Sequence, residues 1–281
     1  MTETYRPVIP ARPPAAYIGG KRQLSAHLVD MIATVPHETY AEPFIGMGGV
    51  FLRRTAAPKA EVINDRSKDV ATLFRVLQRH YAAFMDMLKF QFTSRAEFER
   101  LMAVDPDTLT DLERAARFLY LQRLAFGGKV AGRNFGVSEG TPGRFDVMKL
   151  STQLAEINER LSGVIIENLP FEAFLERYDG PKVLFYLDPP YWGSEGDYGA
   201  GMFGRDDFDR LAAQLASIAG MFILSINDTP EIREIFGAFE FEEVDLTYTI
   251  SNAEARPARE LIITKPGLPC RPPAQASLFQ P

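Results

Sequence analysis

Apolar and polar positions along the chain follow two alternating patterns, short continuous apolar runs and longer stretches with helical spacing. Runs such as AEVIND, KVLFYLD and MFILSIND are typical of strands buried on both faces of a parallel sheet. Between them, stretches such as SKDVATLFRVLQRHYAAFMDMLKF and RDDFDRLAAQLASIAG have the spacing of amphipathic helices. Strands that alternate with helices predict an α/β protein whose mostly parallel sheet is covered on both faces.

The same patterns predict the remaining elements. Helices are expected in KRQLSAHLVDMIATV, RAEFERLMA, LTDLERAARFLYLQRLAF and PFEAFLERY, with Thr110 and Glu113 spaced as a capping box. TYAEPFIGMGGVFL predicts a short strand, a glycine turn and the start of a helix, and GVIIENL predicts a strand. The segment GGKVAGRNFGVSEGTPGRF has six glycines in 19 residues and predicts a loop. A short helix is expected from Pro230, and the runs FEFEEVDLTYTI and RELIITK predict an antiparallel hairpin that closes the sheet.

Composition places the chain among ordinary globular proteins. Of its 281 residues, 46% are hydrophobic and 24% are charged. No apolar run has the length of a transmembrane helix, and the N-terminus lacks the apolar region of a signal peptide. Cys270 is the single cysteine, which excludes an internal disulfide and suits a reducing cytoplasm. Because only three histidines accompany it, the sequence predicts no metal site.

Charge is distributed unevenly along the chain. The formal net charge is −6, which by itself disfavours a nucleic-acid partner. The segment 114–150 nevertheless carries seven basic and two acidic residues, a net charge of +5 that leaves −11 for the rest. Such a segment is either a localised footprint for a polyanion or a solvated loop charged by chance. Its basic residues are Arg114, Arg117, Arg123, Lys129, Arg133, Arg144 and Lys149.

A glycine turn and an acid follow two successive predicted strands. EPFIGMGG occupies residues 42–49, and VIND ends at Asp65, 17 residues after Gly48. A glycine turn lets the backbone approach a ligand, and an acid ending the next strand can bind ribose hydroxyls. Phe51 stands where a dinucleotide fingerprint has its third glycine, which argues against a pyrophosphate. The pattern favours a nucleoside cofactor without phosphates, such as S-adenosylmethionine, or a purely structural turn.

The stretch LFYLDPPYW, residues 184–192, ends a predicted buried strand with an acid, two prolines and two aromatic residues. Asp188 would lie at the carboxyl edge of the sheet, where α/β proteins bind ligands. Because the prolines fix φ and lack an N–H, the Pro189 carbonyl should point away from the strand ladder. The carboxylate and this carbonyl are two acceptors that match the two donors of an amino group, and Tyr191 offers a ring for stacking. The alternative is a proline turn after an edge strand.

Six motifs in a fixed order resemble a family of DNA adenine methyltransferases, the group whose glycine motif precedes D-P-P-Y. The motifs are YIGGK at 17–21, EPFIGMGGVFL at 42–52, NDRSKDV at 64–70, FYLDPPYW at 185–192, LSIND at 224–228 and ARELIIT at 258–264. The resemblance implies a Rossmann-like fold that depends on S-adenosylmethionine, with a mixed, mostly parallel sheet ending in an antiparallel hairpin. It also implies methyl transfer to the exocyclic amino group of adenine in DNA. Because that nitrogen is unreachable inside a duplex, the base would be flipped out.

For the cofactor, the resemblance implies contacts from the glycine motifs and the strand ends. Tyr17 and Lys21 would line the pocket, and Asp65 would bind the ribose hydroxyls. Because Pro170 stands where relatives often carry an acid, recognition of the cofactor's adenine would rest on backbone groups and the Phe171 ring. The full set of candidate cofactor contacts is Tyr17, Lys21, Glu42, Phe44, Gly46, Gly48, Asp65, Phe171 and Asp188, of which Phe44 and Gly46 would contact the methionine end.

For the target, the resemblance assigns the amino group of adenine to Asp188 and the Pro189 carbonyl, and stacking to Tyr191. The candidate catalytic residues are Asp188, Pro189, Pro190 and Tyr191. The basic segment lies where the family places its target-recognition region. The loop GSEGDYGAGMFG is expected to be mobile and to close over the flipped base. The candidate DNA contacts are Arg123, Lys129, Arg133, Asn134 and Arg144, with Asn252 and Arg256 from the hairpin turn.

These inferences predict a domain organisation. Residues 1–16 would form an extended arm, and 17–90 with 160–265 the catalytic methyltransferase domain. Residues 91–159 would form a small helical and loop subdomain for target recognition. Residues 266–281 would be a disordered tail, and the enzyme is expected to be a cytoplasmic monomer without a membrane partner.

The tail ends in apolar residues whose role is open. QASLF resembles the pentapeptide by which many bacterial proteins bind the DNA polymerase sliding clamp, and its anchors would be Gln275, Leu278 and Phe279. The alternatives are chance and packing onto the domain.

Three other functions stay open at this stage. The same amino-group site could act on cytosine, the chain could bind cofactor and DNA without activity, or it could methylate a protein glutamine. The target sequence is not readable from the chain, and neither is the distinction between a solitary, a phage-borne and a restriction-associated enzyme.

Overall fold

The computed structural model describes residues 5–19, 21, 23–136, 140, 142–199, 201–248 and 256–268. Within these residues the strands, β1 to β9 in chain order, are Arg6–Pro7, Thr39–Glu42, Ala56–Ala57, Ala60–Asn64, Ile165–Glu167, Val183–Leu187, Met221–Asn227, Glu240–Tyr248 and Arg256–Thr264. The α-helices, α1 to α9, are Ser25–Thr34, Lys68–Arg79, Tyr81–Leu88, Arg95–Ala103, Asp111–Leu124, Val147–Arg160, Phe171–Tyr178, Arg205–Ser217 and Pro230–Ile235.

One mixed sheet organises the described part of the chain. Its strand order is β5-β4-β2-β6-β7-β9-β8, and the first five strands are parallel. β9 is antiparallel to both β7 and β8, so the predicted closing hairpin is confirmed. The chain runs outward from β2 to β5 and then returns to β6 on the other side of β2. The carboxyl ends of β2 and β6 are therefore the switch point at which open α/β sheets bind ligands.

Helices cover both faces of this sheet, as the apolar runs predict. One core contains residues of α1, α2 and α5, and the other contains residues of α7 and α8 against β6 and β7. The side chains of β6 are all buried, which explains its continuous apolar run. The α/β fold class with a methyltransferase-like sheet is confirmed.

Two local predictions differ from the structure, and one helix was not predicted. The expected helix start after the glycine turn is a single 3-10 turn, Phe51–Arg53, because the chain becomes extended at Arg54 and enters β3. The long helical stretch is split at His80 into α2 and α3, since His80 has non-helical φ and ψ. The segment preceding Gly163 contains α6, which the sequence analysis missed. Asp146 caps it by accepting from two backbone N–H groups.

The N-terminal segment is extended but packs on the domain. β1 pairs with β3, and the Ala11 N–H donates to the Leu52 carbonyl at 2.8 Å. Ala11 and Ala15 are buried. Arg123 of α5 donates to the Pro14 carbonyl at 2.7 Å, so this segment connects β3 with α5.

Within the described ranges, no helix is both long enough and apolar enough to cross a membrane.

Candidate active site

A cavity of about 360 Å³ opens at the carboxyl ends of β2, β4 and β6. The parallel strands bring the ends of three separate motifs to this edge, as the topology requires. The predicted site residues that line the cavity are Tyr17, Lys21, Glu42, Phe44, Gly46, Asp65, Phe171, Asp188 and Pro190. Gly48, Pro189 and Tyr191 are not among the residues that line it. A side chain at Gly48 would collide with Leu52, so that glycine permits core packing beneath the turn.

Asp65 ties the glycine turn to the start of α2. Its Oδ2 accepts from the Gly46 N–H at 2.9 Å, and its Oδ1 accepts from the Ser67 N–H at 2.8 Å. Burial raises its pKa to about 6, against the lowering effect of these two bonds. A carboxylate held by backbone at a cavity wall is suited to accept hydrogen bonds from a polyol such as ribose.

Asn64, the last residue of β4, fixes the loops on either side of the cavity. Its Nδ2 donates to the Pro43 carbonyl at 2.9 Å and to the Leu169 carbonyl at 3.1 Å. Its Oδ1 accepts from the Leu169 N–H at 2.8 Å. A buried amide with these three bonds holds the glycine turn and the segment before α7 in place.

Aromatic rings form one wall of the cavity. Phe44, Phe171 and Phe203 make a triangle with ring centroids 5.8, 5.9 and 5.8 Å apart. Tyr17 lies against the glycine turn, where a Cβ at Gly46 would be 3.1 Å from its ring. The absence of a side chain at Gly46 therefore lets an aromatic ring approach the turn, and the wall suits a planar ligand.

A buried ionic cluster lies at the DPPY end of the cavity. The Lys21 ammonium is 2.6 Å from Asp188 Oδ1 and 3.7 Å from Glu260 Oε2, and it also hydrogen-bonds to the Tyr191 hydroxyl. It lies 4.3 Å from the centroid of the Tyr191 ring. Burial raises the pKa of Asp188 to about 6, although the Lys21 charge acts to lower it. Asp188 is therefore mainly ionised at neutral pH.

Glu42 is a second acid in the cavity wall. The Tyr40 hydroxyl donates to its Oε2 at 2.6 Å. Burial raises the pKa of Glu42 to about 8, and the nearby Asp188 charge acts in the same direction. Glu42 is therefore mainly protonated at neutral pH, and the cavity presents two ionised acids, Asp65 and Asp188, rather than three.

The turn after Asp188 is held by Asn227 at the end of β7. Asn227 Oδ1 accepts from the Trp192 N–H at 2.9 Å, and its Nδ2 donates to the Trp192 carbonyl at 3.0 Å. This two-way bond ties the end of the LSIND motif to the turn that carries DPPY. The loop that follows contributes Tyr198 to the cavity lining, and the Tyr198 hydroxyl donates to the Ile18 carbonyl at 3.2 Å.

The basic segment divides into buried and exposed residues. Arg114 and Arg117 are buried, and Arg114 pairs with Asp69 at 2.6 Å and Asp107 at 2.8 Å. These two arginines stabilise the helical layer, so they are not part of a surface footprint. Lys129 and Asn134 are exposed. Arg144 is exposed too.

The half-buried basic residues lie near the N-terminal segment. Arg133 donates to Gln122 at 3.1 Å. Arg123 and Arg144 line a second cavity of about 430 Å³, together with Gly128.

The remaining candidate contacts are in the hairpin and the tail. Arg256 starts β9, while Asn252, Gln275, Leu278 and Phe279 lie outside the described residues.

Three polar residues of this site were not singled out from the sequence, namely Asn64, Asn227 and Glu260. The first two share a detectable signal, because each is a polar residue at the carboxyl end of a buried strand. Glu260 is an acid inside an apolar strand, and its partner Lys21 is distant in sequence.

A cavity at the switch point of this sheet, with Asp65 held by backbone N–H groups and Asp188 beside two prolines, has the position and the acidic side chains of an enzyme active site in an α/β fold. Residues 17–250 match the family of D12 class N6 adenine-specific DNA methyltransferases. The chain belongs to this family, which confirms the resemblance and the class of enzyme.

Three curated methyltransferases are similar to this chain, with sequence identities of 24% to 29%. A Type II methyltransferase, M.CviBI of Paramecium bursaria Chlorella virus NC1A, is 24% identical over 90% of this chain and 97% of its own. Type II methyltransferase M1.LlaDCHI of Lactococcus lactis subsp. cremoris is 28% identical over 91% and 96%. A DNA N-6-adenine-methyltransferase of Escherichia phage P1 is 29% identical over 69% of this chain and 27% of its own.

Proposed function

We propose that the protein transfers a methyl group from S-adenosylmethionine to the exocyclic amino group of adenine in DNA, after the base has been flipped into the DPPY pocket. The observation that carries the proposal is that a single cavity joins Asp65, the aromatic wall and Asp188. A nucleoside cofactor and an amino acceptor would then lie side by side. Family membership supports the choice of adenine.

The residues of the cavity fit the cofactor. Asp65 presents a backbone-held carboxylate for the ribose hydroxyls, and the ring triangle of Phe44, Phe171 and Phe203 offers an apolar surface for the cofactor's adenine. When bound, S-adenosylmethionine supplies an electrophilic methyl group.

The chain's own chemistry is to hold and polarise an amine. The Asp188 carboxylate and the Pro189 carbonyl would accept the two N–H bonds of the amino group and orient the nitrogen lone pair. The positive charge that develops on this nitrogen is stabilised by the ionised carboxylate. Tyr191 would stack on the base, and the Asn227 bonds hold the turn that carries these groups. Preorganisation is therefore the main catalytic contribution of the protein.

DNA would approach the exposed residues of the basic segment. Lys129, Asn134 and Arg144 are exposed and are the first candidates for phosphate and base contacts. We keep the division into a catalytic domain and a recognition subdomain at 91–159, although α6 packs against α2 and α3 of the catalytic part. The QASLF tail stays a proposed clamp-binding peptide. Its test is whether Leu278→Ala with Phe279→Ala weakens binding of the full chain to a sliding clamp.

The test is transfer of labelled methyl from S-adenosylmethionine to duplex DNA of varied sequence, followed by mass spectrometry of the nucleosides. Amino-methylated adenine made by the wild type, with a loss of at least about a thousandfold in Asp188→Ala, is expected. A folding check by circular dichroism accompanies the variant. Methylated cytosine would overturn the choice of base, and cofactor binding without label in DNA would overturn the proposed reaction. Label in a protein glutamine that does not depend on DNA would overturn the choice of substrate.

A further inference from the structure

The Lys21 ammonium is paired with the carboxylate that the proposed reaction uses as an acceptor. This ammonium is 2.6 Å from Asp188 Oδ1. The side chain of Lys21 is 2% exposed, whereas that of Asp188 is 22% exposed and therefore reachable from the cavity. A lysine so deeply buried cannot hydrate its charge when it leaves its partner.

This arrangement conflicts with an amino group bound at Asp188. The ammonium lies at hydrogen-bond distance from Oδ1, so it neutralises the carboxylate charge although Oδ2 can still accept a hydrogen bond. It would also repel the positive charge that develops on the attacking nitrogen, in an interior where charges are weakly screened. A shift of Lys21 away from Asp188 as the base enters would remove this repulsion, and this step rests on the proposed function.

Glu260 provides the destination for the displaced charge. Its side chain is 1% exposed, and its Oε2 lies 3.7 Å from the Lys21 ammonium. This distance is that of an ion pair that is not yet a direct hydrogen bond. A displacement of about 1 Å would bring the two into contact. Lys21 would then exchange one buried carboxylate for another without becoming unpaired.

The antiparallel course of β9 explains the position of this carboxylate. Glu260 pairs in register with Asn227, the last residue of β7. Because β9 runs against β7, the middle of β9 lies beside the end of β7, at the carboxyl edge of the parallel strands. We propose that Glu260 is a positioning residue that receives the Lys21 ammonium when the target base binds, and thereby frees Asp188 to hold the amino group.

The test combines Glu260→Gln, Lys21→Met and the double variant in single-turnover methyl transfer, with saturating cofactor and DNA. Glu260→Gln should lower the transfer rate about ten- to a hundredfold, because the lysine then stays on Asp188. The cofactor Kd should change by less than about threefold, since Asp65 and the aromatic wall are untouched. In the Lys21→Met background, the same change at Glu260 should have no further effect on the rate, because residues that act through one another are not additive.

Two controls separate positioning from folding. Glu176→Gln changes an exposed glutamate on α7 and should leave the rate unchanged. Glu260→Asp keeps the charge and should restore part of the lost rate, which a purely structural role would not require. If Glu260→Gln alone does not fold, Glu260→Asp, which keeps the carboxylate but withdraws it from Lys21, still tests the exchange, because it should lower the rate in the wild-type background and not in the Lys21→Met background.

The outcomes distinguish the two proposals. Wild-type transfer with an unchanged rate in Glu260→Gln overturns the exchange and leaves the proposed function standing. Additive losses in the double variant also overturn it, because Glu260 would then act independently of Lys21. A wild type that transfers no methyl group to DNA overturns the proposed function, and the exchange with it.

Discussion

The carboxyl edge of the sheet and the basic segment 114–150 were both expected to carry function, but their residues are arranged differently. At the sheet edge, side chains from β2, β4 and β6 converge on one cavity. In the basic segment, Arg114 and Arg117 face the interior, and Lys129 and Arg144 face solvent. Strand direction determines where strand ends lie, whereas a charge count says nothing about which way a side chain points.

The comparison has a physical origin. Parallel strands place their last residues at one edge of the sheet, independently of the helices that connect them. Glu42, Asp65 and Asp188, which end or follow such strands, therefore lie close to one another. Arginines on a helix can either solvate or pair with a neighbouring helix, and the choice depends on tertiary packing. Arg114 pairs with Asp69 on α2. The predictions below test each side of this difference.

The largest effect should come from the sheet edge. Asp65→Ala removes a charged acceptor together with its bonds to the Gly46 and Ser67 N–H groups. Cofactor affinity should fall about a hundredfold, the value of one or two hydrogen bonds to a charged group. Calorimetry with S-adenosylmethionine measures this, and Asp30→Ala on the exposed side of α1 is the control. An unchanged affinity would remove Asp65 from the cofactor site.

The buried half of the basic segment should act on stability instead. Arg114→Met breaks the pairs with Asp69 and Asp107 and should lower the free energy of unfolding by about 2 kcal/mol. This is below the usual range for a buried pair because Asp107 is exposed. Urea unfolding measures the loss. A weaker salt dependence of DNA binding in this variant would contradict the structural role.

The activity of the sheet edge should depend on pH. The pKa of Asp188 and that of Asp65 are both raised to about 6, and each acts as a carboxylate. With saturating cofactor, Asp65 is already engaged by the ribose and Asp188 alone sets the pH dependence, so the single-turnover rate should be about tenfold lower at pH 5 than at pH 7. Both groups bind protons more tightly in the folded chain, so their contribution to stability falls as the pH rises from about 4 to 6. An increase in rate with pH therefore cannot be caused by an increase in stability. A rate that does not change between pH 5 and pH 7 would contradict the role of the Asp188 carboxylate.

The smallest effect is expected from the exposed half of the basic segment. Lys129→Ala and Arg144→Ala should each weaken DNA binding about threefold at moderate salt and make its salt dependence shallower by about one released ion. Fluorescence anisotropy over a salt series measures both quantities. Arg114→Met, with its slope unchanged, is the matched control. Identical slopes in all three variants would remove the basic segment from the DNA contact.

Local sequence patterns were sufficient for most of the fold. The apolar run of β6, the capping box at Thr110 and the closing hairpin are all present, since each depends on residues close together in the chain. α6 was missed although Leu150, Leu154, Ile157 and Leu161 have helical spacing and are buried. The helix starts two residues after the glycine-rich segment ends, so no polar stretch between them marks its beginning.

The site was predictable where a motif ends a strand and unpredictable where a contact depends on tertiary structure. Asp65 and Asp188 could be placed because strand ends share an edge. The pairing of Lys21 with Glu260 could not, because it requires the hairpin to insert β9 beside β7. For the same reason the interior orientation of Arg117 was not visible in the sequence.

The packed N-terminal segment has a consequence for the order in which the protein folds. Its Pro13 and Pro14 carbonyls bond to Gln153 and Arg123, 140 and 109 residues later in the chain. Contacts of such long sequence separation form slowly, because closing a large loop costs chain entropy. We expect this segment to dock after the sheet and α5 have assembled. Tyr17 follows directly on it and completes the wall of the cavity, so cofactor binding should appear only with the last kinetic phase of refolding.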